Sequence, residues 1–295
     1  MTITHSGMVA IIGRPNVGKS TLLNCLLNQK LSITSSKPQT TRWQILGIKI
    51  IDCAQIIYID TPGLHSVEKH AMNRYMNRIA RSVLLDADLI IFMMNATGWQ
   101  DDDELVLKKL QNLTKPVLLA INKVDLLQDK TKLLPMIEQL HERYPFTHII
   151  PISALKVENI ASLEMEIIRL LPKGPQLYPD DQITDKSIRF QIAEVIREKI
   201  IQTTEEELPY ATTVEIEQLE QGNKLTTISA IIWVERQGQK AIMIGKQGAQ
   251  LKKIGTQARR DIQNILQRKV FLRLWVKVKE HWTDDERALK SLGYE

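Results

Sequence analysis

Apolar and polar positions change period along the chain. Between Met8 and Leu171, short apolar runs of strand length (Met8–Ile12, Gln55–Asp60, Asp88–Asn95, Val117–Asn122 and His148–Ser153) alternate with stretches of helical spacing such as Lys19–Asn28 and Ile160–Leu171. Strands alternating with helices predict an α/β unit: a mostly parallel sheet with helices on both faces. Gly13, Asp60, Asn122 and Ser153 fall at or just past the ends of these runs, the edge where open α/β sheets bind ligands. The period breaks across residues 171–185, where three prolines and a glycine interrupt it, so we divide the chain into 1–172, a linker 173–185, and 186–295. The last part reads as α+β. An amphipathic helix, Ser187–Gln202, is followed by alternating strands Ala211–Glu220 and Leu225–Glu235, a short helix Lys240–Ile244, a longer one Ala249–Gln267, and a closing strand Val270–Lys279.

The first apolar run leads directly into Gly13-Arg14-Pro15-Asn16-Val17-Gly18-Lys19-Ser20, a G-x-x-x-x-G-K-[ST] loop opening a helix at Thr21. Gly13 and Gly18 let the backbone approach a phosphate, Lys19 places a charge at the β/γ-phosphates, and the Ser20 hydroxyl can ligate Mg²⁺. A chance glycine-lysine turn would not also have the strand before it and the helix after it. The base is chosen further on, at Asn122-Lys123-Val124-Asp125. A carboxylate at Asp125 can accept both donors of guanine's Watson–Crick edge, and adenine would leave it unpaired. Asn122 can tie loops together, the Lys123 stem can cover the base face, and Ser153-Ala154 can offer a main-chain N–H to the base. Asp60-Thr61-Pro62-Gly63 stands where a γ-phosphate sensor belongs, with Asp60 toward Mg²⁺ and the Gly63 N–H toward the phosphate. The polar stretch around Thr40 and Thr41 suits a loop that orders on the metal, with Thr41 the expected ligand. A plain proline-glycine turn is the bland alternative for DTPG.

Composition narrows the setting. The chain has 295 residues, 43% hydrophobic, enough for two cores. Cys25 and Cys53 lie outside any metal-ligand spacing, and no leader pattern or membrane-length apolar run is evident, which together suggest a reducing, cytoplasmic home. The net charge of +5 is concentrated: Arg236–Lys279 holds 12 Lys and Arg against one Asp, a local +11, while Thr203–Glu235 has seven Glu and one Lys. Such a face is the footprint of a polyanion site, although a solvated charged surface gives the same count. Inside it lies Gly245-Lys246-Gln247-Gly248, a second glycine-bracketed loop before a helix.

These motifs, with QTTR (Gln39–Arg42), YPDDQITD (Tyr178–Asp185), ELPY (Glu207–Tyr210) and LWVKVK (Leu274–Lys279), resemble the Era family of translation-factor-related GTPases over nearly the whole chain. The resemblance implies GTP/GDP and Mg²⁺ as ligands and a type II KH domain at the C-terminus. Its GxxG loop would clamp about four nucleotides of single-stranded RNA. Gly245, Lys246, Gln247, Gly248, Ile244, Lys252, Lys253 and Arg259 are then the expected RNA contacts, with Arg260 adding charge and Ile242, Leu251 and Ile254 lining the groove. Trp233 and Trp275, in predicted strands, are expected in the core. The implied partner is the 3′ end of small-subunit (16S) rRNA during 30S subunit maturation, and the implied state is a monomer. Where Ras-like enzymes carry a water-orienting Gln, this chain has Leu64, so slow hydrolysis is expected from Lys19, Thr41, Gly63 and Asn16. Asn16 is the expected ligand for K⁺, which relatives with this substitution use. His65 and His70 are expected to be surface residues and not bases. Two other readings stay open: a GTPase whose basic face meets the inner membrane, with RNA binding incidental, and a non-enzymatic RNA-binding scaffold.

Overall fold

A computed structural model describes residues 3–35, 37, 40–63, 70–204, 208 and 210–294. It divides into two compact units, residues 1–69 with 73–185, and residues 186–295 with 70–72.

The first unit is built on a six-stranded sheet in the order β2-β3-β1-β4-β5-β6. Its strands are β1 (His5–Ile12), β2 (Ile45–Ile51), β3 (Ala54–Asp60), β4 (Leu89–Asn95), β5 (Val117–Asn122) and β6 (His148–Pro151). β1 pairs in parallel with β3 and β4, and β4 with β5 and β5 with β6 are parallel too. Burial explains the sequence pattern: β3 is buried at every position and β4 at all but its last, so neither shows two-residue alternation. β2 alone is antiparallel, hairpinned onto β3 through Asp52-Cys53. The helices α1 (Lys19–Leu27), α2 (Ala71–Asp86), α3 (Asp101–Leu110), α4 (Leu133–Arg143) and α5 (Ile160–Leu170) complete the alternation.

Residues 173–185 are strapped to this unit. Buried Gln55 accepts from the N–H groups of Leu177 and Tyr178 at 2.7 and 2.9 Å and donates to the Tyr178 carbonyl at 2.7 Å. The Ile48 N–H donates to the Ile183 carbonyl at 2.8 Å. Polar composition suggested a linker, but a buried amide gives its backbone groups fixed partners.

In the second unit, β7 (Thr213–Gln221), β8 (Leu225–Val234) and β9 (Lys269–Val278) form a sheet in that order, β7/β8 antiparallel and β8/β9 parallel. One face packs on α6 (Ile188–Thr203), α7 (Gln237–Ile244) and α8 (Ala249–Leu266), burying Ile192, Ile196 and Ile200 against Ile228, Ile232 and Val276. The last helix is α9 (Glu286–Ser291). The order α-β-β-α-α-β, with GxxG between the paired helices, is the type II KH arrangement implied above.

Candidate nucleotide and RNA sites

The phosphate loop takes its shape from backbone that only glycine accepts cheaply. Gly13 has φ +152° and a Cβ there would lie 2.5 Å from the Met93 carbonyl oxygen; Gly18 has φ +106° and a Cβ would lie 2.4 Å from Asn122 Nδ2. Asn16, at φ 63°, lines the cleft with Pro15, Thr21 and Gly63. Lys19 Nζ donates to the carbonyls of Gly13 and Arg14, both at 3.0 Å, and burial lowers its pKa to about 8 against the pull of Asp60. Arg14 turns to a different partner: its Nε donates at 3.2 Å to Oδ2 of fully buried Asp103 in the first turn of α3.

Three oxygens converge beside this loop. Ser20 Oγ lies 2.8 Å from Thr41 Oγ1 and donates to Asp60 Oδ2 at 2.7 Å, and Thr41 Oγ1 reaches the same carboxylate at 3.5 Å. Thr40 is separated from them, donating to the Lys37 carbonyl at 2.6 Å. The other carboxylate oxygen, Asp60 Oδ1, is buried without a hydrogen-bond partner among the described residues, and burial raises the Asp60 pKa. An orphaned carboxylate oxygen beside two hydroxyls is a hard-oxygen donor set that fits Mg²⁺. Thr61 and Pro62 are buried, Thr61 donating to the Ile11 carbonyl at 2.9 Å, and Gly63 sits so close to Pro15 that a Cβ would meet its Cγ at 3.0 Å. His70 is exposed, as expected, whereas Leu64 and His65, with Gln39, Glu207 and Pro209 of the longer motifs, lie outside the described residues.

The base-side loops are tied to one another. Asn122 Nδ2 donates to the Val17 carbonyl at 2.7 Å while its Oδ1 accepts from the Ala154 N–H at 3.0 Å. The Ala154 N–H is thus engaged by Asn122. Ser153 instead contributes its hydroxyl, which donates to Asp125 Oδ1 at 2.5 Å and fixes that carboxylate. Lys123, at φ 66°, donates to the Asn16 carbonyl at 2.8 Å, so its stem spans the two loops. Sequence reasoning missed Asp103, which lies in no recognised motif; a run of three aspartates opening a helix was the available signal. The cleft also takes Ile33, Thr34, Ser35 and Lys37 from the polar loop.

In the second unit Gly245 has φ 72° and ψ 174°, Gln247 φ 52° and Gly248 φ 77°. A Cβ on Gly245 would lie 2.7 Å from Gln250 Cβ, whereas one on Gly248 would stand in open space. Beyond the loop, Gly248, Leu251, Lys252, Gly255, Arg259 and Leu274 line a groove of about 380 Å³ between α8 and β9. Lys246 and Lys253 are exposed near it, and Ile242 is 60% exposed. Two expectations are corrected. Ile254 is not a groove residue: it is fully buried in the core on the inner side of α8. Trp275 is not a core residue, being 56% exposed, and Trp233 is only partly covered, with Nε1 donating to Glu215 at 2.8 Å.

The chain matches two known families, one in each unit. The family described as "50S ribosome-binding GTPase" matches residues 8–123, and that described as "KH domain" matches 207–283. "GTPase Era" of Ectopseudomonas mendocina is 53% identical over 292 residues, covering 99% of this chain and 98% of that one. "GTPase Era" of Marinobacter nauticus is 55% identical over 291 residues, covering 98% and 95%. Among solved structures, Era in complex with MgGDPNP and nucleotides 1506–1542 of 16S ribosomal RNA superposes at TM-score 0.96 with 43% identity, covering 99% of each chain. A single-residue variant of Aquifex aeolicus Era bound to GDP.AlF4- superposes at 0.95, also 43% identical, covering 98% of this chain and 99% of that one.

Proposed function

The chain belongs to the Era family of GTPases, and from that premise we propose that it binds and hydrolyses GTP while its KH unit holds the single-stranded 3′ end of 16S rRNA during 30S subunit maturation. The observation that carries the reading is the pairing, in one chain, of an oxygen donor set beside a phosphate loop with a strained Gly-Lys-Gln-Gly loop over an open, basic groove.

Each residue has a task that follows from its position. The N–H groups of the Gly13–Ser20 loop bind the phosphates, and Lys19, released from two carbonyls, balances their charge. Ser20, Thr41 and Asp60 would hold Mg²⁺, which would supply charge neutralisation for the phosphates. Asp125, fixed by Ser153, binds guanine and rejects adenine. Gly63 senses the γ-phosphate through its N–H. Because Leu64 follows Gly63, the chain offers no side-chain hydrogen bond to the attacking water at that position, and intrinsic turnover is slow. Asn16, which lines the cleft, is our candidate ligand for K⁺; exchanging K⁺ for Na⁺ lowers turnover on this account, and unchanged turnover would remove the assignment.

In the second unit, the open space beside Gly248 admits a phosphate backbone, and Lys246, Lys252, Lys253 and Arg259 add charge without base choice. A cytoplasmic location belongs to the same reading. The test is binding of a labelled oligonucleotide with the 16S 3′-end sequence, against Lys246→Asp and against competing anionic vesicles. Binding lost in the variant and resistant to vesicles supports the RNA groove; binding indifferent to the variant, or removed by vesicles, contradicts it.

A further inference from the structure

The KH sheet has a second face that the groove does not use. Residues of β9 alternate: Leu272 and Leu274 line the groove, while Phe271, Arg273, Trp275 and Lys277 point to the opposite side of the sheet. Phe271 and Trp275 are 45% and 56% exposed. Cations lie over two of the rings in this region. Arg273 lies over the Phe271 ring at 5.0 Å, and Lys277 and Lys279 lie over Trp233 at 5.8 and 6.0 Å. Next to β9, the central strand carries Thr227 opposite Phe271, Ser229 opposite Arg273, Ile231 opposite Trp275 and Trp233 opposite Lys277 on that side, with Ser229 and Ile231 buried beneath their neighbours. Thr227 lies low beside the raised Phe271 ring, and Trp233 stands up beside Lys277. Tyr294 reaches the Thr213 end of the sheet, its hydroxyl 3.1 Å from that of Thr213.

From this we propose that the outer face of β8 and β9 is a second RNA-contact surface, stacking bases that continue past the groove around the β9 edge. The proposal rests on the groove reading given above. Phe271 and Trp275 stand four residues apart, roughly 13 Å along the strand, too far for one base and suited to two. Aromatic rings paired with arginine or lysine are how sheet surfaces hold unstacked bases without demanding a sequence. Charge decides between RNA and a protein partner: the exposed positions of β9 on this face are aromatic or cationic, within a segment carrying 12 Lys and Arg against one Asp. Glu215 and Glu220 of β7 share the face, and Glu217 reaches Lys277 at 4.0 Å; these carboxylates repel phosphates and confine the strand to the β8–β9 half. β9 is the edge of the three-stranded sheet, so a chain leaving the groove reaches the outer face without crossing another strand.

The test uses the full-length protein and two RNAs, one of about six nucleotides that fills only the groove and one of about 14 that extends beyond it. We expect Phe271→Ala with Trp275→Ala to leave the short RNA's affinity within about two-fold and weaken the long RNA at least about ten-fold. Phe271→Tyr with Trp275→Tyr, which keeps the rings, restores the long RNA's affinity and controls for folding. Lys246→Asp weakens both RNAs. If the doubly truncated variant binds the long RNA as the unsubstituted chain does, the outer face does not hold RNA and belongs to a partner of another kind. If the unsubstituted chain fails to bind the short RNA, the groove reading falls and this extension falls with it.

Discussion

Asp103 lies outside the nucleotide motifs, yet its loss should unsettle the phosphate loop. Its Oδ2 accepts from Arg14 Nε at 3.2 Å and from the Gln100 N–H at 3.0 Å, and its side chain is fully buried. Asp103→Ala removes the carboxylate that pairs with the Arg14 guanidinium, whose side chain is only 11% exposed. Breaking a buried pair from one side costs about 3–5 kcal/mol, and loss of the helix cap adds about 1 kcal/mol. Removing both charges should cost less, because the penalty comes from stranding one of them. Arg14→Met combined with Asp103→Ala should therefore be more stable than Asp103→Ala alone, with a coupling of about 2 kcal/mol or more in the double-mutant cycle. The cap is lost in both Asp103 variants and cancels. Urea unfolding of the nucleotide-free protein, followed through the first unit, reads the cycle. GDP release gives a second readout, since the Arg14 carbonyl also holds Lys19. Strictly additive losses would refute the reasoning that the pair acts as a unit.

Further outcomes follow from the nucleotide site and from the RNA loop. Lys19 has a folded pKa of about 8, below its ordinary 10.5, because it is buried. The unfolded chain holds its proton across the interval between these values, so the stability of the nucleotide-free protein should rise with pH there, on the order of 3 kcal/mol in total. Phosphates keep Lys19 protonated, so GTP affinity should fall as pH rises past about 8, with proton uptake on binding at about pH 8.5 in calorimetry run in two buffers; no uptake would contradict the assignment. In the second unit, Gly248→Ala should cost about 1 kcal/mol through its φ of +77° while keeping the fold, and weaken RNA binding because the methyl enters space a phosphate would use. Gly245→Ala should also disturb the loop itself through Gln250, visible as a lower melting temperature of that unit.

Chemistry was legible in the sequence wherever it rests on backbone shape. Both glycine loops, the ends of four strands and the guanine-reading Asp125 could be placed because their spacing is the mechanism. β2 was not foreseen: its hairpin turns at Asp52-Cys53, with Asp52 at φ 52°, and that pair lacks the Asn-Gly signature of a tight turn. Burial on a strand edge was also hidden. Trp275 and Ile254 are both apolar residues in periodic segments, and only the packing of α8 against β9 shows that the isoleucine faces in and the tryptophan out. Likewise the polar 173–185 stretch gave no sign that Gln55, distant in sequence, holds its backbone.

Central to the proposed function is the joining, in one chain, of a GTP switch to an RNA clamp. A ligand can bias the clamp only through contacts that differ between nucleotide states, here Thr41 and Gly63 on the γ-phosphate side. The most direct measurement is the Kd of the 16S 3′-end oligonucleotide for protein loaded with GDP and with a non-hydrolysable GTP analogue. Tighter binding with the analogue, by at least about five-fold and lost in Lys246→Asp, is the predicted result. Equal affinity in the two states would contradict the coupling.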